Sequence, residues 1–226
     1  MTALPLDRDM LRSKLAYISG IQERLEAVAS VLCIVFLQVT LDPALTLWSA
    51  RWFVGFEGIV LLILVGTSGR SGVGRSSLRI LCALLLIALI AVSNLTSLGL
   101  LTEQLLHSVK TLGRDVLVEA IKIWLTHVFL FALCYWEMDR GGASRRSGLQ
   151  NVDFLFPQMA SPQWAPKHWK PSFMDYLFLS FTNATAFSPT DTLPLTPRAK
   201  CLMLVQAAAS LLTLALVIAR AVNTLS

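Results

Sequence analysis

Long apolar runs, separated by short polar or turn-rich segments, dominate the chain from Ala27 onward. A helix needs roughly 20 apolar residues to cross about 30 Å of hydrocarbon, so each run can be read against that length. The first covers Ala27 to Trp48 and is interrupted near its end by Asp42 and Pro43, where proline kinks or ends a helix. The second, Trp52 to Thr67, is short and recruits Trp48 and Trp52 as interface anchors. After a Gly/Ser/Arg linker, Ser68 to Ser77, the third runs from Leu78 to Gly99. Thr102 to Asp115 is then amphipathic and expected at the membrane surface. The fourth spans Val116 to Trp136. Glu137 to Pro171 is rich in Pro, Gly, Arg and Trp and cannot cross, and the last clear run is Leu202 to Ala219. The predicted fold class is all-α, a polytopic transmembrane protein with about five spanning helices. It divides into an amphipathic segment 1–26, four spans in 27–136, an interfacial linker 137–171 and a C-terminal unit 172–226.

The C-terminal unit opens with a helix start, Ser172 as N-cap and Asp175 three residues on as its capping-box partner. The apolar run Phe173 to Ala186 is too short to cross, because about a dozen residues at 1.5 Å each reach only about 18 Å. Ser188-Pro189-Thr190-Asp191 ends the helix, and a Pro/Thr-rich return, Thr192 to Pro197, leads into the final run. A half-helix, a polar turn and a full helix make a re-entrant loop. Non-helical backbone at that depth persists only where it is buried in protein or lines a water-filled cavity.

Composition agrees with a lipid solvent. The 226 residues are 55% hydrophobic, above the roughly 45–50% of soluble domains. The net charge of +5 comes from basic residues scattered through the connecting segments, a pattern of membrane topology and not of a nucleic-acid partner. Met1 to Glu26 lacks the clean apolar core and small-residue cleavage site of a signal peptide and reads as a retained segment. Cys33, Cys82, Cys134 and Cys201 lie in or beside apolar runs without CxxC spacing, so they read as small apolar side chains.

Ser180-Phe181-Thr182-Asn183-Ala184-Thr185-Ala186-Phe187-Ser188-Pro189-Thr190-Asp191 resembles the pore helix and selectivity filter of potassium channels. There a pore helix leads into Thr-Thr-Val-Gly-Tyr-Gly-Asp, followed by a proline and a basic residue before the inner helix. Thr185 and Ala186 fall at the two threonines, Phe187 at the valine, Ser188-Pro189-Thr190 at Gly-Tyr-Gly, Asp191 at the aspartate and Pro194 at the following proline. The likeness covers Phe173 to Asn223. The whole chain is similar to a family of bacterial membrane proteins in which a degenerate pore loop follows several spans, with stretches like Tyr135-Trp136-Glu137 and Asp153-Phe154-Leu155-Phe156-Pro157-Gln158. The departures matter physically. Filter glycines adopt left-handed backbone angles at no steric cost, which Ser188 and Thr190 do not. Pro189 fixes φ near about −65° and holds Ser188 extended. No four-site carbonyl ladder and no strict potassium selectivity are expected. A pore would be lined by the hydroxyls of Thr185, Ser188 and Thr190, with Ala186, Phe187 and Pro189 between them and Asp191 near one mouth, where a ring of carboxylates favours cations. The alternative is a packed re-entrant loop that does not conduct.

Ionisable and polar residues within spans are further candidates. Glu57 has no local partner and either faces a cavity or meets Lys122 or another polar group across a helix interface. Glu119 and Lys122 are three apart and neutralise each other. Gln206 is a polar residue inside the last span. Glu137, Asp139 and Arg140 read as salt bridges at a helix end, and Trp164 and Trp169 as an interfacial apron or a cap over the loop. Arg70, Arg75 and Arg79 lack the every-third spacing of a voltage sensor. Gly69, Gly72 and Gly74 lack the Gly-Lys-Ser/Thr ending of a phosphate loop. His107, His127 and His168 stand apart without a second metal ligand at metal spacing, and His127 reads as a buried polar residue. No triad or carboxylate pair points to an enzyme, and no cofactor or metal is implied.

Placing the N-terminus inside gathers most Lys and Arg, from Arg8 to Lys200, on the cytoplasmic side and leaves Arg51, Lys110, Arg114 and Arg220 opposite. That orientation puts the loop on the cytoplasmic side, as in ionotropic glutamate receptors, whereas the potassium-channel likeness implies the outer side. The expected protein is a homo-oligomeric, tetrameric pore-loop channel for small ions in a bacterial inner membrane, since one chain supplies one pore helix. Its rivals are a non-conducting scaffold or binding protein and, behind that, a small transporter; lipid is a partner in each.

Overall fold

A computed structural model of the chain describes residues 25–46, 50–67, 73–107, 113–139, 152–166, 169–185 and 191–225, and these are mostly helical. Helix α1 covers Leu25–Val39. It ends where the sequence places its break: Asp42 accepts the amide of Ala44 at 2.8 Å and caps a 3-10 turn, Pro43–Leu45, whose proline has no amide to continue the helix. Helix α2 is Ala50–Thr67 and α3 is Val73–His107.

The third run is longer than its apolar core implies. Of the stretch Thr102 to Asp115 expected on the membrane surface, the part through His107 prolongs α3, Gly113 to Asp115 open the next helix, and 108–112 lie outside the described residues. The Thr102 hydroxyl returns to the Leu98 carbonyl at 2.7 Å, and Leu98 and Leu101 bury against Val116, Ala120 and Ile123. An amphipathic stripe that has a protein neighbour stays in the helix that carries it. Asn94 ties the same pair of helices by donating to the Ile123 carbonyl at 3.1 Å.

Helix α4, Gly113–Met138, is the centre of the molecule, packing against α3, α6 and α7. Of its membrane-length window 56% is buried, against 17% for α7, with α3, α6 and α7 arranged around it. The segment after it is more than an interfacial linker. Strand β1, Phe154–Leu155, pairs antiparallel with β2, Leu193–Pro194, Phe154 opposite Pro194 and Leu155 opposite Leu193. A short helix α5, Pro157–Ala160, and a 3-10 turn, Pro162–Trp164, follow. Phe154 and Phe156 are buried, edge-on to Tyr135 at 5.1 Å and to Tyr176 at 5.2 Å between centroids. Trp169 packs on Phe156, while Trp164 is exposed.

Helix α6, Phe173–Thr185, has 13 residues, a length of about 20 Å. One arm of its predicted capping box is present, the Ser172 amide donating to Asp175 Oδ2 at 2.7 Å; the Ser172 hydroxyl donates to the same oxygen at 2.8 Å, and the Asp175 amide goes to the Ser172 carbonyl at 3.2 Å. Helix α7, Pro197–Leu225, starts earlier than its apolar run, with Pro197 in the first turn and the Thr196 hydroxyl accepting the Ala199 amide at 3.3 Å.

Among the described residues three helical stretches are long and apolar enough to cross a membrane: Ile80–Leu105, Val116–Met138 and Pro197–Ile218. Large side chains such as Phe36, Leu62, Leu95 and Leu204 are mostly exposed on the helix surfaces, as an apolar solvent permits.

Replacing Asp175 with Ala removes the α6 cap and lowers stability by about 1 kcal/mol. Thermal unfolding of the detergent-solubilised protein measures this, with Met174→Ala, on the exposed face, as the control that stays near wild type.

Candidate functional site

The half-helix α6 sits against both α4 and α7. Phe173, Tyr176, Leu179, Ser180 and Ala184 are buried at helical spacing and make its inner face, whereas Met174, Phe178 and Phe181 are exposed on the other. Polar residues on the inner face of a helix between apolar neighbours need partners, since an unpaired buried amide or hydroxyl costs about 1–3 kcal/mol.

Gln206, fully buried on α7, supplies most of them. Its Oε1 accepts the Tyr135 hydroxyl of α4 at 2.5 Å and the Asn183 amide of α6 at 2.8 Å. Its Nε2 donates to the Ser180 carbonyl at 2.9 Å and to the Ser180 hydroxyl at 2.7 Å. Ser180 then donates to the Val128 carbonyl of α4 at 2.7 Å, and Asn183 also donates to the Met203 carbonyl of α7 at 3.0 Å. His127 places Nε2 3.3 Å from the Gln206 carbonyl and stacks obliquely on Phe131, which makes it the buried polar residue expected.

A second group closes the outer end of α6. Asp139, at the end of α4, accepts the Asp153 amide at 2.7 Å and the Tyr176 hydroxyl at 2.5 Å. Asp139 was expected in an interfacial salt bridge; it is instead buried and bonded to neutral donors, because the segment carrying Asp153 folds back over it. Asp153 in turn receives a two-pronged contact from Arg198, Nε to Oδ1 at 2.7 Å and a terminal nitrogen to Oδ2 at 2.6 Å, together with the Thr196 hydroxyl. The Leu195 amide donates to the Asp153 carbonyl at 2.8 Å and extends the β1–β2 pairing. The start of α7 is thereby fastened to the end of α4 and to Tyr176 of α6.

Of the filter-like residues, Thr185 lies at the end of α6 with its hydroxyl turned back to the Thr182 carbonyl at 2.9 Å, and Asp191 is exposed. Ala186, Phe187, Ser188, Pro189 and Thr190 lie outside the described residues. Glu119 and Lys122 form the expected pair at 2.8 Å and brace the end of α1, Lys122 donating to the Thr40 carbonyl at 2.6 Å and Glu119 accepting the Asp42 amide at 3.0 Å. Glu57 is buried and meets Gln38 of α1, not Lys122.

Sequence reasoning singled out Gln206 but not its partners. Asn183 and Ser180, three apart in an apolar half-helix, carried the usable signal, because polar side chains at that spacing share a face. The role of Asp153 had no local signal, since its partners lie in other segments. The four cysteines are free thiols, and among the described residues no group of three His, Cys, Asp or Glu could hold a metal ion. Compared with known protein families, with characterised proteins and with solved structures, the chain matches none.

Gln206→Leu keeps the volume but leaves Tyr135, Asn183 and Ser180 short of partners, so stability drops by about 3 kcal/mol. Val205→Ala, on the exposed side of the same helix, stays within about 0.5 kcal/mol. Unfolding in detergent or a denaturant series compares the two, and equal losses would contradict the role given to Gln206.

Proposed function

We propose that the chain is an integral membrane protein of about five crossings in a bacterial inner membrane, and that α6, the turn after it and α7 form a re-entrant pore loop. In this reading the protein is a homo-oligomeric, tetrameric channel that passes small ions with weak or unusual selectivity. The observation that carries the reading is α6 itself. At 13 residues it is too short to cross, yet it lies between two helices of membrane length and turns its polar residues toward them. The likeness of residues 180–191 to a pore helix and filter supports the same assignment.

The shorter apolar helices Leu25–Val39 and Trp52–Ile63 bring the three membrane-length helices to five. The 18 residues of α2 reach about 27 Å, close to the hydrocarbon thickness. An oligomer is supported by the outer side of α7. Leu204, Ala208, Leu211, Ala215 and Ile218 are exposed along one stripe with alternating steps of four and three, the repeat of a helix–helix seam. Ala at alternate positions lets a second helix approach closely.

A non-conducting scaffold is the second reading. Thr182 and Thr185 donate their hydroxyls to their own helix and the Asn183 amide is engaged within the chain, so one protomer already satisfies them.

Ion flux through liposomes separates the two. The channel carries a cation flux above that of empty vesicles, and Asp191→Asn lowers its preference for cations over anions by removing a carboxylate at the mouth. No flux above empty liposomes would exclude conduction and leave the scaffold.

A further inference from the structure

Glu57 of α2 is fully buried and faces Gln38 of α1, also buried. One hydrogen bond joins them, Gln38 Nε2 to Glu57 Oε1 at 3.4 Å. The remaining oxygen of each group, Glu57 Oε2 and Gln38 Oε1, is buried and has no hydrogen-bond partner. Both are acceptors while the carboxyl is ionised, so neither can satisfy the other. A single hydrogen on Glu57 Oε2 changes that. The acid then donates to Gln38 Oε1 while the amide donates to Glu57 Oε1, closing a ring of two hydrogen bonds between two planar groups.

We infer that Glu57 and Gln38 form a proton-binding site within the membrane interior, in which Glu57 is held as the neutral acid and its proton joins α1 to α2. The surroundings favour a proton over a metal cation. The amide N–H already points at the carboxyl, where a cation would need an oxygen. The helices that carry the pair are apolar around it: Ile34, one turn before Gln38, and Val60, one turn after Glu57, belong with Leu86 and Ile90 of α3 to one buried apolar cluster. Among the described residues no ion pair reaches Glu57. Lys122 lies near the end of α1, but its ammonium is engaged by Glu119 and the Thr40 carbonyl. The other charged residues of the adjoining helices are Glu26 on α1, Arg51 at the start of α2, and Arg75, Arg79 and Glu103 toward the two ends of α3; Cys33 and Cys82 are the cysteines there. An ionised carboxylate in this position would be buried without compensation, at a cost of several kcal/mol. Because α2 packs on α3 and α3 on α4, the site is separate from α6, and it stands whether or not the loop conducts.

Infrared difference spectroscopy of the full chain in lipid at neutral pH tests this. The wild type should show a protonated-carboxyl C=O band that is lost in Glu57→Gln and shifted upward in Gln38→Leu, where the acid loses its acceptor. Glu57→Gln retains an amide pair with Gln38. A carboxylate band lost in place of the C=O band would overturn the inference, as would disappearance of the C=O band on exchanging choline for sodium. A hydrophobic carbodiimide, which attacks protonated carboxyls, checks the unaltered protein. The expected adduct, mapped by mass spectrometry, is on Glu57 and declines at high pH; an adduct on Glu57 whose yield does not fall at high pH would contradict the site.

Discussion

The Gln206 side chain is where α4, α6 and α7 meet, and the position of the half-helix depends on it. Each of its four hydrogen-bonding directions is used: Oε1 accepts from Tyr135 of one helix and Asn183 of another, and Nε2 donates to the hydroxyl and carbonyl of Ser180. Away from water, a polar side chain without such partners would be expelled or would carry its helix out of register. The same bonds therefore fix how deep α6 lies and which way it is rotated. Apolar contact alone would not do so, since a helix bearing Leu and Phe packs nearly as well after a small rotation. The opposite face of α6 carries Met174, Phe178 and Phe181, all exposed.

A short helix held only at its middle could still pivot. The Asp139–Asp153 group removes that freedom at the other end, where Tyr176 of α6 and Arg198 and Thr196 at the start of α7 converge on two buried carboxylates. The fork of Arg198 onto Asp153 is the stronger kind of ion pair, two parallel charge-assisted bonds with defined geometry. With β1 paired to β2, it draws the segment before α6 and the segment before α7 together. Glu57 and Gln38 repeat the theme between α1 and α2, where a polar pair in an apolar core specifies how two helices face each other.

Much of this architecture is legible in the sequence. Run lengths placed the helices, Asp42-Pro43 placed the end of α1, and Ser172 with Asp175 placed the start of α6, because each rests on local chemistry. The Glu119–Lys122 pair is local as well. What escaped were contacts between distant segments. Asp139 looks like a surface charge until Asp153 folds over it, and the pairing of Phe154–Leu155 with Leu193–Pro194 has no periodicity two residues can display. Thr102 to His107 reads as a surface helix only so long as α4 is not beside it. Of the candidate site, Gln206 was visible as a polar residue in an apolar run, but that it meets Asn183 and Ser180 depends on the packing of α6 against α7, which no local pattern encodes.

A density map of the full chain in lipid nanodiscs tests the central claim most directly, because it reports the depth of α6 and the number of copies together. The account predicts a symmetric oligomer in which α6 ends partway through the bilayer, clamped by Gln206 between α4 and α7, with residues 185–191 facing the symmetry axis. A monomer whose loop packs against its own helices, or an α6 lying flat at the headgroups, would contradict it.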